Sequence, residues 1–199
     1  MKQALIVVDV QNDFLPGGAL AVPSGNEIIP VINNLMKRFP IVVATQDWHP
    51  ENHKSFAINH PGKKPGDKII LEGVEQILWK AHCIQNSYGA ELSKQLDQSS
   101  ITHIIKKGTD PNIDSYSAFF DNARKKSTGL DDLLRANLVD GVYIVGLATD
   151  YCVKYTVLDA ISLGYKTYLI TDACKGINLN VGDVEKAICE MRKAGVIIQ

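Results

Sequence analysis

The sequence predicts an α/β fold: a three-layer sandwich with a doubly wound, mainly parallel sheet and helices on both faces. Three observations carry that reading. Apolar, β-branched runs recur at 4–8, 41–44, 101–105, 142–147, 167–170 and 196–198. Most are continuous rather than alternating, as strands covered on both faces require. Segments of helical period lie between them, and strand–helix alternation implies βαβ units with right-handed crossovers.

The first run, 4–8, stops at Asp9, so it is too short for a signal peptide or a membrane span. Residues 25–39 carry Ile28, Ile29, Ile32, Leu35 and Met36 on one helical face. Residues 88–96, 129–136 and 181–194 show similar helical patterns. In 151–163, Val153, Val157, Ala160 and Ile161 fall at helical spacing, with Gly164 placed as a C-cap. Residues 48–85 break the alternation. They are rich in His, Pro, Gly and Lys, and only 68–71 looks like a short strand. A loop this long within a compact α/β domain is usually functional. With no repeat, low-complexity tract or linker, residues 1–199 read as one domain with an excursion at about 48–85.

Composition excludes several classes. The 199 residues hold 21 Lys plus Arg and 22 Asp plus Glu, a net charge of −1. Such a balance gives no footprint for nucleic acid or an anionic membrane. A hydrophobic fraction of 45% with 22% charged residues is ordinary globular composition. Cys83, Cys152, Cys174 and Cys189 form no C-x-x-C pair, which argues against a disulfide framework or a four-cysteine zinc knuckle. Free thiols in a reducing compartment are expected, hence a cytoplasmic protein. Monomer and homo-oligomer are both compatible with the surface pattern.

In an open parallel sheet, ligands sit beyond the carboxyl ends of the strands. Asp9 closes the first strand, Asp47 follows the second, Lys106 and Lys107 close the third, and Cys152 lies just past the fourth. A thiol at a helix start meets the positive end of the dipole and free N–H groups, which favour a thiolate and can hold an oxyanion. A lone cysteine is also commonly a buried structural residue, and Cys83, beside His82, is the rival nucleophile. Asp9 suits a general base with a raised pKa, and equally a turn cap. One of the two adjacent lysines must point inward, because side chains alternate along a strand. An inward ammonium would favour the charged forms of acid and thiol. In the excursion, Asp47 and His49 stand at i and i+2, with His53 and His82 further on. One carboxylate and two imidazoles suit Zn, Fe or Mn, although scattered surface histidines have the same spacing.

These residues lie in motifs. DVQNDF (9–14), PGGALAV (16–22), TQDWHP (45–50), HC (82–83), KG (107–108), DSYSAF (114–119) and GLATDYCV (146–153) follow one another along nearly the whole chain. Together they resemble the nicotinamidase/pyrazinamidase group of the isochorismatase-like cysteine hydrolases. The resemblance implies a six-stranded parallel sheet and a catalytic triad of Asp9, Lys107 and Cys152. Lys107 is chosen over Lys106 because the family's lysine precedes a small residue, here Gly108. It further implies a divalent metal on Asp47, His49 and His82, zinc first with iron or manganese as alternatives, and leaves His53 open as a fourth ligand. A cis peptide is implied at Leu147–Ala148, aiming the N–H groups of Ala148 and Cys152 at an oxyanion. Phe14, Trp79 and Tyr116 match the family's ring pocket. The implied reaction is hydrolysis of nicotinamide to nicotinate and ammonia through a thioester.

Two other classes compete. An amidase of the same superfamily acting on carbamoyl or ureido substrates would generally lack the metal site. A noncatalytic, flavodoxin-like binding module would want a glycine-rich phosphate loop after the first strand, where this chain places DVQNDF.

Overall fold

The computed structural model describes residues 2–199. In chain order the elements are β1 (Lys2–Val8), α1 (Ile29–Met36), β2 (Val42–Asp47), β3 (Lys68–Leu71), β4 (Val74–Ile77), β5 (His103–Lys107), α2 (Leu130–Ala136), β6 (Val139–Leu147), α3 (Lys154–Ser162), β7 (Lys166–Lys175), α4 (Asp183–Ala194) and β8 (Ile197–Ile198). Six strands form one sheet in the order β5-β2-β1-β6-β7-β8, and each neighbouring pair is parallel. The chain starts at the centre, builds outward to β5, then returns to build the other half from β6. The switch point of this doubly wound topology lies between β1 and β6, where ligand sites form in such sheets.

Residues Ala4 to Val8 are fully buried, and alternation sends them to two cores. Ala4, Ile6 and Val8 pack with Leu130 and Leu134 of α2, Val157 and Ala160 of α3, and Met191 of α4. Leu5 and Val7 pack with Ile29, Ile32 and Met36 of α1, and with Cys83, Ala90 and Leu96. Three helices therefore cover one face, while one helix and the 83–96 segment cover the other.

That segment corrects a sequence expectation. Residues 88–96 form only one 3-10 turn, Tyr88–Ala90. Beyond it Leu92 bridges Gln11, and the Ser93 N–H donates to the Val10 carbonyl at 2.9 Å. Pairing with the loop after β1 satisfies backbone groups that a helix would have satisfied internally. The helix expected at 25–39 begins as a 3-10 turn, Gly25–Ile28, before α1, and Pro30 sits in the first turn, where its missing N–H costs nothing. β5 runs two residues later than its apolar run suggested. Its register against β2 pairs Val43 with His103 and Asp47 with Lys107, so polar residues extend both strands. In the excursion, β3 was expected at 68–71, but its antiparallel partner β4 was hidden by Glu75 and Gln76.

β1 and β6 approach closely at the switch point. Gly146 has φ +120°, and a Cβ there would lie 2.1 Å from the Val8 carbonyl oxygen. Gly146→Ala should therefore lower unfolding stability by about 3 kcal/mol or more, from backbone strain plus forced separation of the two strands. Urea denaturation measures it, and an unchanged midpoint would show that the approach is not tight.

Candidate active site

The C-terminal ends of β1, β2, β5 and β6 deliver one side chain each. Asp9 follows β1 with φ 50°, a left-handed conformation that aspartate tolerates better than most residues. Its Oδ1 accepts a 2.5 Å hydrogen bond from the Thr45 hydroxyl of β2. Lys107 ends β5, and strand alternation turns it inward, 1% exposed. Its neighbour Lys106 points the other way, its ammonium 3.6 Å from the centre of the Trp48 ring. Cys152 lies in a single π-helical turn, Thr149–Val153, which follows a cis peptide bond between Leu147 and Ala148.

Lys107 joins these groups. Its Nζ donates to Asp47 Oδ1, to the Ser115 carbonyl oxygen at 3.0 Å and to Cys152 Sγ at 3.4 Å. Asp9 Oδ2 is a fourth neighbour, 2.8 Å away, paired in charge but receiving no well-directed hydrogen bond. It is the Asp9 oxygen that the Thr45 hydroxyl does not engage. Of the two adjacent lysines, the structure turns Lys107 into the cluster with Asp9 and Cys152.

Burial sets the protonation. It raises the Asp9 carboxyl above the ordinary aspartate range, although Lys107 pulls the other way. Asp47 is also buried, but Lys107 and His49 outweigh that and hold it down at about 2. Burial likewise opposes the Lys107 ammonium, yet Asp47 and Asp9 keep it charged well above the usual lysine range. Cys152 runs against the expectation from its sequence position. Burial lifts its thiol well above the usual range, Lys107 offsets only part of this, and the Asp9 and Asp47 carboxylates add to it. Desolvation and two nearby anions outweigh the helix dipole, so the resting thiol is neutral and needs an adjacent base.

A second cluster shares Asp47. One ligand atom each from Asp47, His49 and His82 lie within 4.8 Å of one another, all buried. His49 Nε2 is 3.0 Å from Asp114 Oδ1, while its buried Nδ1 has no partner. Donation from Nε2 to the carboxylate turns Nδ1 toward the cluster, the carboxylate–histidine arrangement that orients metal ligands. Despite burial, Asp47 and Asp114 favour the protonated ring, so a metal would bind in exchange for the Nδ1 proton. His82 Nδ1 donates to the Lys80 carbonyl at 2.8 Å, leaving Nε2, 3.7 Å from Asp47 Oδ2. Two imidazole nitrogens and a carboxylate oxygen therefore converge, a donor set that, once His49 gives up its proton, fits a divalent transition ion. The set Asp9, Asp47 and Cys152 is equally compact, but the Lys107 ammonium lies among them. His53 is engaged on both nitrogens: Nδ1 accepts from the Ser55 N–H at 3.1 Å, and Nε2 lies 3.3 Å from the Ile113 carbonyl. Burial lowers it to about 4, so it is a neutral wall beside the His49 ring, 4.5 Å between centroids. Gly108 has a steric reason: with φ +65°, its Cβ would lie 2.7 Å from His49 Nε2.

A narrow pocket of about 20 Å³ opens above both clusters, so a flat ring enters only as its side-chain walls move apart. Phe14, Trp79 and Tyr116 line it, as do Ala148, Cys152, Asp47 and His82. Leu20, Asp114, Tyr151 and Ile177 also line it and were not singled out from the sequence. Asp114 and Tyr151 stand inside quoted motifs, which was the available signal. Leu20 likewise lies within the quoted PGGALAV stretch, and Ile177 lies in none. Ile177 is held in place by Asp150, whose carboxylate accepts from the N–H groups of Ile177 and Asn178 at 2.9 and 2.8 Å. A much larger cleft, about 430 Å³ between Asn12 and Gln95, offers no thiol or imidazole.

Fold and site together define a doubly wound α/β protein with a buried acid–ammonium–thiol cluster at its switch point. The profile of the Isochorismatase domain matches residues 3–199, and the chain belongs to that family. It is 50% identical over 200 residues to a nicotinamidase of Escherichia coli, covering 98% of this chain and 93% of the relative. A solved nicotinamidase/pyrazinamidase of Acinetobacter baumanii superposes with a TM-score of 0.96 at 51% identity, covering 99% of this chain and 95% of that one. A Pyrococcus horikoshii pyrazinamidase solved in complex with zinc gives a TM-score of 0.81 at 42% identity, covering 100% and 99%.

Removing the shared cation should be costly. Lys107→Met strands two buried carboxylates and should lower stability by about 3–5 kcal/mol, the usual loss when one partner of a buried ion pair is deleted. Denaturant titration reads it; a loss below about 1 kcal/mol would mean that the acids are compensated elsewhere.

Proposed function

We propose that this chain is a nicotinamidase that hydrolyses nicotinamide to nicotinate and ammonia, acting in the cytoplasm. Pyrazinamide, with the same primary carboxamide on a flat heterocycle, is a second substrate. The observation that carries this reading is the double use of one pocket floor. Lys107 contacts Asp9, Asp47 and Cys152, so nucleophile and ligand clusters stand side by side under an aromatic pocket. A planar ring bearing a carboxamide presents one atom to each. Half-identity with a nicotinamidase along the whole chain supports the substrate.

Phe14, Trp79 and Tyr116 pack the ring, since aromatic walls orient a flat heterocycle without much entropy cost. Asp9 Oδ2 takes the thiol proton, and Cys152 Sγ attacks the carboxamide carbon. Lys107 offsets the charge carried in turn by Asp9 and Cys152. The N–H groups of Ala148 and Cys152 hold the tetrahedral oxyanion. Asp9 then returns its proton to the leaving nitrogen, ammonia departs and a thioester remains. In the second half Asp9 deprotonates water, which attacks the thioester carbon, and the thiol recovers its proton. Asp47, His49 and His82 would hold one divalent ion, zinc by analogy with the Pyrococcus complex. That ion would supply a Lewis-acid anchor for the ring nitrogen.

Cys152→Ala should abolish ammonia release from nicotinamide while nicotinate still binds in calorimetry. Surviving turnover would overturn the nucleophile assignment. His49→Ala and His82→Ala should strip the bound metal, measured by mass spectrometry, and raise KM. Full metal content in both variants would sink the ligand assignment. Ammonia release by the unmodified protein tests the substrate itself.

A further inference from the structure

Strand β4 carries one buried polar side chain between less buried neighbours: Gln76 is 1% exposed. A primary amide is stable in that position only if hydrogen-bonded. Its Nε2 lies 3.2 Å from Asp114 Oδ2, 3.0 Å from the Tyr116 hydroxyl and 2.8 Å from the Ile77 carbonyl oxygen. Its Oε1 accepts from Asn122 Nδ2 at 3.1 Å, and Asn122 Oδ1 accepts from the Tyr116 N–H at 2.9 Å. The amide's orientation follows from chemistry. An ionised Asp114 and a carbonyl can only accept, so the NH2 group faces them.

Asp114 Oδ1 is committed to His49 Nε2 and to the Ser115 N–H. Among the described residues, Gln76 is the donor that reaches Oδ2. The Tyr116 hydroxyl accepts from Gln76 and from Trp79 Nε1, the latter at 3.0 Å. One planar amide thus touches the carboxylate that orients a ligand imidazole and the phenol that ties two walls of the ring pocket together. An aliphatic side chain of equal volume would fill the space and leave both oxygens short of a donor.

We propose that Gln76 is a positioning residue that holds the metal-ligand half and the aromatic half of the site in one register. This rests on the nicotinamidase reading. Gln76 acts through Asp114 on His49, and through the Tyr116 hydroxyl on Trp79.

Gln76→Met preserves length and volume and removes both donors. KM for nicotinamide should rise about five- to twentyfold while kcat stays within about threefold, because ring positioning is lost and the acid–thiol cluster is intact. Zinc affinity, read by chelator competition without substrate, should weaken about tenfold, as for loss of a residue behind the ligands. Tyr116→Phe should also raise KM, and the double variant should raise it by less than the product of the single effects. Unchanged KM and zinc affinity in a folded Gln76→Met protein would overturn the proposal. Should that variant not fold, Asn122→Ala at the partly exposed edge of the network releases the other end of the amide. The same two effects are then expected at smaller size, and their absence overturns the proposal equally. If the unmodified protein releases no ammonia from nicotinamide, the nicotinamidase reading falls, and zinc affinity alone decides the role of Gln76.

Discussion

One ammonium group, that of Lys107, stands where two carboxylates and a thiol meet inside the protein, and the surrounding structure is organised around keeping it there. Each of these charges would cost several kcal/mol to bury alone. Together they compensate, because strand register sets Lys107 opposite Asp47 while Asp9 comes from the next strand over. The residue after Lys107 must then turn with positive φ and leave room for an imidazole, which is why Gly108 follows. Charge compensation, sheet register and imidazole packing meet at two consecutive positions.

The same burial shapes the reactivity of the cluster. Desolvation raises both the Asp9 carboxyl and the Cys152 thiol, so the resting thiol keeps its proton beside a carboxylate that burial has made more basic. The acid and thiol are therefore suited to exchanging a proton across a short distance, with the ammonium offsetting whichever of them becomes charged. A permanent thiolate, which the helix-start position alone suggested, would require a more polar surrounding than this site has.

Rigid and irregular parts divide the site between them. Strand ends position Asp9, Asp47, Lys107 and the turn carrying Cys152. The excursion supplies His49, His82 and Trp79, and the 110–122 segment supplies Asp114 and Tyr116. Function placed on loops needs support from elsewhere. Gln76 from the small hairpin, Asn122, and Asp150 under the Ile177 segment provide it through hydrogen bonds.

By itself the sequence determined the strand alternation and the placement of acids, lysine and thiol at strand ends. Continuous apolar runs and period-2 geometry are local properties. The motifs further marked out Asp47, His49, His82 and the aromatic residues. Local pattern could not show that 88–96 pairs with the first loop instead of coiling, since that choice depends on partners about 80 residues away in the chain. It could not show β4, where Gln76 faces the site and Glu75 the solvent, so no apolar face marks the strand. Nor could it show that Cys152 is buried deeply enough to be neutral, or that His53 spends both nitrogens on Ser55 and Ile113. Those outcomes are set by desolvation and by hydrogen-bond partners that only the folded chain brings within reach.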